Sequence, residues 1–256
     1  MIAEIKGKVT KQNTNLTELR EDELTGNFFG NMRYIPFTKG LKKILKNAIR
    51  PVELQNMINE IDASYWDDKI FLWEKIREND NITELDVRMD FSSIIIGIEV
   101  KYRSGLSSED KEDDESISAE NSFNQLSREA RILSLVGANK KKLLLLLADD
   151  LACAETIQGI KIIDGVQLGY LSWQEVLIQL KGLTELNDFE QLIVADIIEL
   201  LEKKGFLRFS GFEMDIRDIS NKDNWYFELP KVIKRFSFGS NKIVEGGYYE
   251  FGRKHI

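Results

Sequence analysis

The sequence predicts an α/β protein with a mixed sheet flanked by helices, followed by an aromatic-rich appendage at the carboxyl-terminal end. Apolar and β-branched runs of strand length alternate with stretches in which apolar residues recur at helical spacing. The longest apolar run, residues 143–148, is too short to span a bilayer and is typical of a buried strand. A chain of 256 residues is also long enough to bury a sizeable core.

Capping residues and apolar spacing set the order of the predicted elements. Pro51 suits the first turn of a helix, Ser172 is a good N-cap, and Gly205 ends the last amphipathic helix. The predicted elements are, in chain order, a helix that includes residues 20–25, a helix at 51–61, strands at 69–76, 84–90 and 94–103, a helix at 119–135, strands at 142–149 and 166–171, and helices at 172–180 and 188–204. We expect a core domain over residues 1–182 and, over 183–256, a helix followed by an aromatic-rich subdomain.

The predicted hairpin carries the residues of greatest chemical interest. Side chains alternate across a strand, so Asp86 lies on the polar face of the first strand, and Glu99 and Lys101 share the polar face of the second. A turn centred on residues 91–92 would place Asp86 opposite Gly97 and diagonal to Glu99, about 7–8 Å away at Cα. We expect Gly97 to leave open space on this face for a metal ion or a substrate.

The residue inventory leaves carboxylate–metal–lysine chemistry for this hairpin. One Cys and one His, Cys153 and His255, exclude Cys–His catalysis and a His-rich zinc site. Two carboxylates and an ammonium on one face could bind a divalent ion and position a water molecule against a phosphate. The structural alternative is an exposed sheet face with cross-strand charge pairs, each contributing roughly a few tenths of a kcal/mol. Of four Glu-x-Lys patterns in the chain, only Glu99–Lys101 ends an apolar strand whose neighbour carries an Asp.

The pattern Asp86…Glu99-Val100-Lys101 resembles the motif of the PD-(D/E)xK nuclease superfamily, which has the restriction-endonuclease-like fold. That motif places an Asp on one strand and a (Asp/Glu)-x-Lys on the next, and the Pro that usually precedes the Asp is Leu85 here. The resemblance covers about residues 16–173. It implies a core built from a helix, three strands with the chemistry on the second and third, a helix and further strands.

The resemblance also implies roles for the hairpin residues. Asp86 and Glu99 would ligate Mg²⁺, with Mn²⁺ as a substitute and the Val100 carbonyl as a further ligand. The ion would acidify a bound water, and Lys101 would orient that water or stabilise the pentavalent phosphorus centre. The implied activity is metal-dependent hydrolysis of phosphodiester bonds, with DNA as the favoured substrate and RNA as the alternative, and a role in restriction or antiviral defence.

Further candidates flank the hairpin. Such nucleases often bring a Glu from the first helix to the metal, for which Glu23 is the candidate and Glu21 the rival. The helix after the catalytic strand often presents a Gln or an Arg to the site, and Gln125 and Arg128 share a face there because they are three residues apart. Arg103 follows Lys101 on the same strand face and is a third candidate for substrate contact.

The charge distribution bears on possible partners. A formal net charge of −8 is unfavourable for a free-standing duplex binder, because phosphate neutralisation by Lys and Arg dominates that affinity. Basic residues concentrate in residues 39–50 and 140–142, where a solvated face is the simpler interpretation. Residues 107–120 contain seven acids and one Lys, which predicts a solvated loop, although such a loop could also compete with nucleic acid at the site.

The carboxyl-terminal segment and the remaining composition complete the sequence-based expectations. Residues 206–256 hold 11 of the 25 aromatic residues, and packing of a subdomain on the core is favoured over base stacking. No signal peptide is visible and a lone Cys forms no internal disulfide, so we expect a cytoplasmic protein without membrane association. The alternative function is a non-cleaving nuclease-fold scaffold that binds a partner protein; a homodimer is a further expectation.

Overall fold

The computed structural model describes residues 17–78, 81–102, 106 and 118–208, with the side chains of 17–20 and 81 left undescribed. The helices are α1 (Thr17–Met32), α2 (Leu41–Ala48), α3 (Gln55–Asn59), α4 (Gln125–Val136), α5 (Asp150–Thr156), α6 (Trp173–Lys181) and α7 (Asp188–Lys203), with a 3₁₀ turn at Val52–Leu54. The strands are β1 (Ile70–Glu78), β2 (Asn81–Asp90), β3 (Ile94–Val100), β4 (Lys141–Ala148) and β5 (Val166–Ser172).

These strands form one mixed five-stranded sheet in the order β1-β2-β3-β4-β5. The first three strands pair antiparallel, and β3, β4 and β5 pair parallel through crossovers that contain α4 and α5. An α/β protein with a mixed sheet flanked by helices is therefore confirmed. Parallel pairing requires such crossovers, which is why helices follow β3 and β4.

The register of the β2–β3 hairpin differs from the predicted one by two residues. Arg88 pairs with Gly97 and Asp90 with Ile95, so the turn centres on Ser92–Ser93. Phe91 cannot occupy the turn tip because its buried ring packs 4.7 Å from that of Phe37. A shift of two residues preserves every side-chain face, so the predicted alternation survives the error.

Both faces of β3 are covered, which corrects two predictions about this strand. Ile94, Ile96 and Ile98 face the larger core built with α1, α2, α6 and α7, whereas Ile95 packs in a second cluster with α4. A Cβ on Gly97 would lie 2.7 Å from Leu133 Cδ1 in α4, so Gly97 gives close helix packing and leaves no open space. The alternative of an exposed polar sheet face is wrong for the same reason.

Most predicted elements appear within a few residues of their predicted bounds. Ser172 accepts a hydrogen bond from the Glu175 N–H and caps α6, as its position predicted. The predicted helix at 51–61 is instead a 3₁₀ turn followed by the five-residue α3. Two short helices, α2 and α5, were not predicted as separate elements; α2 occupies the basic segment 39–50.

Residues 183–208, the described part of the segment after residue 182, contribute to the same buried core. Val194, Ile197 and Leu201 of α7 are buried with the sheet, and Phe206 stacks 5.5 Å from Trp173. Contacts divide the chain into one compact unit that ends at Phe209 and another over residues 210–256. The predictions for the aromatic-rich subdomain fall on that second unit, outside the described residues. None of the described helices is both long enough and apolar enough to cross a bilayer.

Candidate functional site

Three carboxylates from separate elements converge where β2 and β3 separate. Glu21 of α1, Asp86 of β2 and Glu99 of β3 each offer an oxygen, and these oxygens lie within 4.8 Å of one another. Continuing the observed register puts Asp86 directly opposite Glu99, and the Val100 N–H donates to Asp86 Oδ2 at 2.8 Å. The tertiary structure, together with the corrected register, thus brings the acids closer than the predicted diagonal arrangement.

Lys101 joins two of these carboxylates. Its Nζ lies 2.5 Å from Glu99 Oε1 and 3.0 Å from Glu21 Oε1, and its side chain is largely buried. The backbone of Lys101 is held on both sides, because its N–H donates to the Leu147 carbonyl at 2.8 Å and its carbonyl accepts from Trp173 Nε1 at 3.0 Å. The ammonium is therefore fixed between the acids by the sheet and the core rather than by a flexible loop.

Helix α4 supplies two more polar side chains. Gln125 Nε2 donates to Glu99 Oε1 at 2.7 Å, so that oxygen receives both Gln125 and Lys101. Glu129, one turn later, is 1 % exposed and lies in hydrogen-bonding range of Glu99. No described N–H or O–H group donates to either Glu129 carboxylate oxygen. Asn124 caps α4 by accepting from the Leu126 N–H, which fixes the helix at its site end.

The concentration of negative charge changes how these groups ionise. Burial, and then the charge of Glu99, raises the pKa of Asp86 to about 8 despite the Val100 hydrogen bond. The same two causes raise the pKa of Glu129 well above its ordinary value. Burial alone would lower the pKa of Lys101, but the Glu99 and Glu21 carboxylates raise it above its ordinary value. The single positive charge of Lys101 is therefore too small to balance the negative charge that the surrounding acids would carry if all were ionised.

This imbalance predicts a pH-dependent stability for the metal-free protein. Because the pKa of Asp86 rises from 3.8 to about 8 on folding, its contribution to the free energy of unfolding is present below pH 4 and is lost as pH rises towards 8. Lys101 adds no pH dependence to the free energy of unfolding in this pH range, because its pKa is raised from an ordinary value that already lies near 10.5. Thermal melts in EDTA between pH 5 and 8.5 should show a falling melting temperature in the wild type and a smaller fall in Asp86→Asn. Parallel curves would contradict the assignment.

The structure brings some of the predicted site residues together and leaves others out of the cluster. Asp86, Glu99, Lys101 and Gln125 come together as described, whereas the acid from the first helix is Glu21 and not Glu23. Residues two apart on a helix point in nearly opposite directions, so only one of the two can face the site.

The remaining predicted residues are Val100, Arg128 and Arg103. The backbone N–H of Val100 anchors Asp86, and a metal-ligand role for its carbonyl stays a prediction. The buried Nε of Arg128 has no hydrogen-bond partner within the described part of the chain. Arg103 lies outside the described residues.

Sequence reasoning missed Glu129, although a signal was present. Glu129 follows Gln125 by four residues, the spacing that places two side chains on the same helix face. A similar signal favoured Glu21, because Leu24 and Phe28 lie three and seven residues after it and mark the buried face of α1. Glu23 lies off that face.

The donor set fits a hard divalent cation. Carboxylate oxygens are the ligands that Mg²⁺, Mn²⁺ and Ca²⁺ prefer, and the unmatched Glu129 oxygens mark a deficit of positive charge. The lone cysteine does not suit soft-metal binding or nucleophilic catalysis. The Cys153 thiol is buried, contacts the Leu171 carbonyl, and has a pKa raised to about 12 chiefly by burial.

The sequence matches no family model, and no curated protein is significantly similar to it. The chemistry of this site is therefore inferred from the arrangement and the properties of its own residues.

Proposed function

We propose that this protein is a metal-dependent nuclease that hydrolyses phosphodiester bonds, with DNA as the substrate and Mg²⁺ as the ion. The observation that carries the proposal is the group formed by the buried Glu99 and the half-buried Glu21 and Asp86, with Lys101 beside Glu21 and Glu99. Three carboxylates beside a single ammonium repel one another more than that ammonium offsets, and a bound divalent cation would account for their convergence. The resemblance to the PD-(D/E)xK superfamily supplies the reaction class, and a restriction or defence role in the cytoplasm belongs to the same proposal.

The chain's own residues have distinct tasks in this reaction. Glu21, Asp86 and Glu99 would hold the ion, and Gln125 keeps the Glu99 carboxylate oriented through its 2.7 Å hydrogen bond. A bound Mg²⁺ would lower the pKa of a water ligand and stabilise charge on the phosphate. Lys101 would orient the attacking water and stabilise negative charge on the phosphorus oxygens, and the contacts of its backbone with Leu147 and Trp173 support this role.

Nucleic-acid affinity needs cations that are not already paired. In the two basic segments, several lysines are already paired with carboxylates: Lys39 pairs with Glu190, Lys43 with Glu185, Lys140 with Asp90 and Lys141 with Glu60. The Lys42 ammonium also donates to the carbonyls of Asn59 and Ile61. These pairs favour the structural interpretation of both segments.

A scaffold that binds a partner protein without cleaving is the second candidate. The net charge of −8 and the engaged lysines favour it, since they leave little cationic surface in the two segments for a polyanion. The buried acid cluster argues against it, because a scaffold has no use for Glu99 at 2 % exposure beside other acids.

The test is cleavage of plasmid, linear duplex DNA, single-stranded DNA and RNA with Mg²⁺ or Mn²⁺, with and without EDTA. We expect metal-dependent cutting of at least one DNA substrate that EDTA abolishes. Absence of cutting on all four substrates, together with no binding of Mn²⁺ in calorimetry, would favour the scaffold. Cutting of RNA alone would keep the reaction class and change the substrate.

A further inference from the structure

Glu129 is a buried carboxyl group that the proposed single-ion site does not use. Its side chain is 1 % exposed, less than Glu99 or Lys101, and neither oxygen receives a hydrogen bond from the described residues. Buried carboxylates are ordinarily paired with a cation or coordinate a metal. The nearby Arg131 does not neutralise it, since that guanidinium pairs with Glu78 and donates to the carbonyls of Ala119 and Ser122.

Glu129 extends the acid cluster beyond the reach of one ion. The group whose oxygens all lie within 4.8 Å contains Glu21, Asp86 and Glu99 but not Glu129. Glu129 nevertheless lies in hydrogen-bonding range of Glu99, so Glu99 belongs to both sides of an elongated cluster. The Lys101 and Gln125 hydrogen bonds both reach Glu99 Oε1, and neither uses Oε2.

The charge count points to the same conclusion. With Lys101 as the counterion, the three acids of the first group leave two net negative charges, which one divalent ion would balance. Glu129 would lose its proton on binding a cation and would then add another negative charge to a buried site. A second divalent ion would leave one net positive charge, equal and opposite to the charge of a single phosphodiester.

We infer that Glu129 is a ligand of a second divalent cation, and that Glu99 bridges the two ions. This inference rests on the proposed function and deepens it, because two ions about 3.5–4 Å apart can stabilise both the attacking and the leaving oxygens of a displacement at phosphorus. Helix α4 would then contribute a metal ligand as well as Gln125, its orienting hydrogen-bond donor.

The inference is tested by counting bound Mn²⁺ without reference to activity. The wild type, Glu129→Gln and Glu190→Gln would be titrated with Mn²⁺, with the free ion measured by electron paramagnetic resonance at pH 8. Glu190→Gln is the matched control, since Glu190 is a buried glutamate that caps α7 and pairs with Lys39 away from the site. We expect two equivalents in the wild type and the control, one in Glu129→Gln, and a spin-coupled signal that is lost only in Glu129→Gln.

Equal stoichiometry in the wild type and Glu129→Gln would overturn the inference. One equivalent in both, with cleavage intact, would mean that Glu129 keeps a proton in place of an ion while the proposed function stands. No bound Mn²⁺ in either protein would remove both the inference and the proposed function. The Gln side chain has the shape of Glu and can donate to Glu99, so we expect Glu129→Gln to fold at least as stably as the wild type.

Discussion

Replacing Lys101 with Met should abolish cleavage and strengthen metal binding. The ammonium lies 2.5 Å and 3.0 Å from two of the carboxylates that would hold the ion, so it competes electrostatically with that ion. Its removal should raise Mn²⁺ affinity at least about tenfold, since close charges at an effective dielectric constant of 20 interact by several kcal/mol. Cleavage should fall by about 10²–10³-fold or more, the range measured when one preorganised stabilising group is lost. Calorimetry and plasmid cleavage measure the two effects.

Lys141→Met is the matched control for this substitution. Lys141 begins β4 and pairs with Glu60 at 2.6 Å, but both side chains are half exposed. Exposed ion pairs contribute about 0–1 kcal/mol, so this variant should keep wild-type cleavage and metal affinity. A Lys101→Met protein that cleaves normally would contradict the role of Lys101, and unchanged Mn²⁺ affinity would contradict the proximity of the ion to the ammonium.

Replacing Asp86 with Asn should stabilise the metal-free protein at pH 8 and weaken metal binding at the site formed with Glu21 and Glu99. The Asn carbonyl can still accept from the Val100 N–H, while the carboxylate whose pKa is raised to about 8 is gone. The melting temperature in EDTA should therefore rise above that of the wild type. Mn²⁺ affinity should fall at least about 100-fold, because even loss of a residue that only supports a ligand costs about 10–100-fold. Thermal melts with and without Mn²⁺ measure both effects.

Asp90→Asn on the same strand should behave in the opposite way. Asp90 pairs with Arg88 at 2.9 Å and with Lys140, so its loss leaves Lys140 without this partner and leaves Arg88 paired with Glu74 alone. We expect a lower melting temperature in EDTA and a normal stabilisation by Mn²⁺. A stabilisation of both Asn variants, or of neither, would show that the charge imbalance is not centred on Asp86.

The alternation of side chains let the sequence predict the faces of the hairpin but not its register. Asp86, Glu99 and Lys101 fell on the correct face because a shift of two residues leaves every face unchanged. The turn itself was misplaced because Phe91 resembles a turn residue in its local context, whereas contact with Phe37 on another element buries it. The fate of a single aromatic residue at a turn depends on tertiary packing.

Tertiary packing also decided the features that sequence patterns described poorly. Gly97 has the sequence context of an open strand position, yet Leu133 of α4 occupies the space above it. Glu129 has no motif of its own; its spacing from Gln125 indicates a shared helix face, but its burial near Glu99 depends on how α4 lies against the sheet. The sequence could have distinguished Glu21 from Glu23, because the spacing of the apolar residues in α1 shows which face of the helix is buried.

The most direct test of the cation site is anomalous diffraction from crystals soaked in Mn²⁺. We predict an anomalous peak bounded by the carboxylates of Glu21, Asp86 and Glu99, with the Lys101 ammonium displaced from at least one of its two partners. The same experiment on Asp86→Asn crystals should show no peak at that position. A wild-type map without a peak there, with Lys101 still bridging Glu21 and Glu99, would contradict the account.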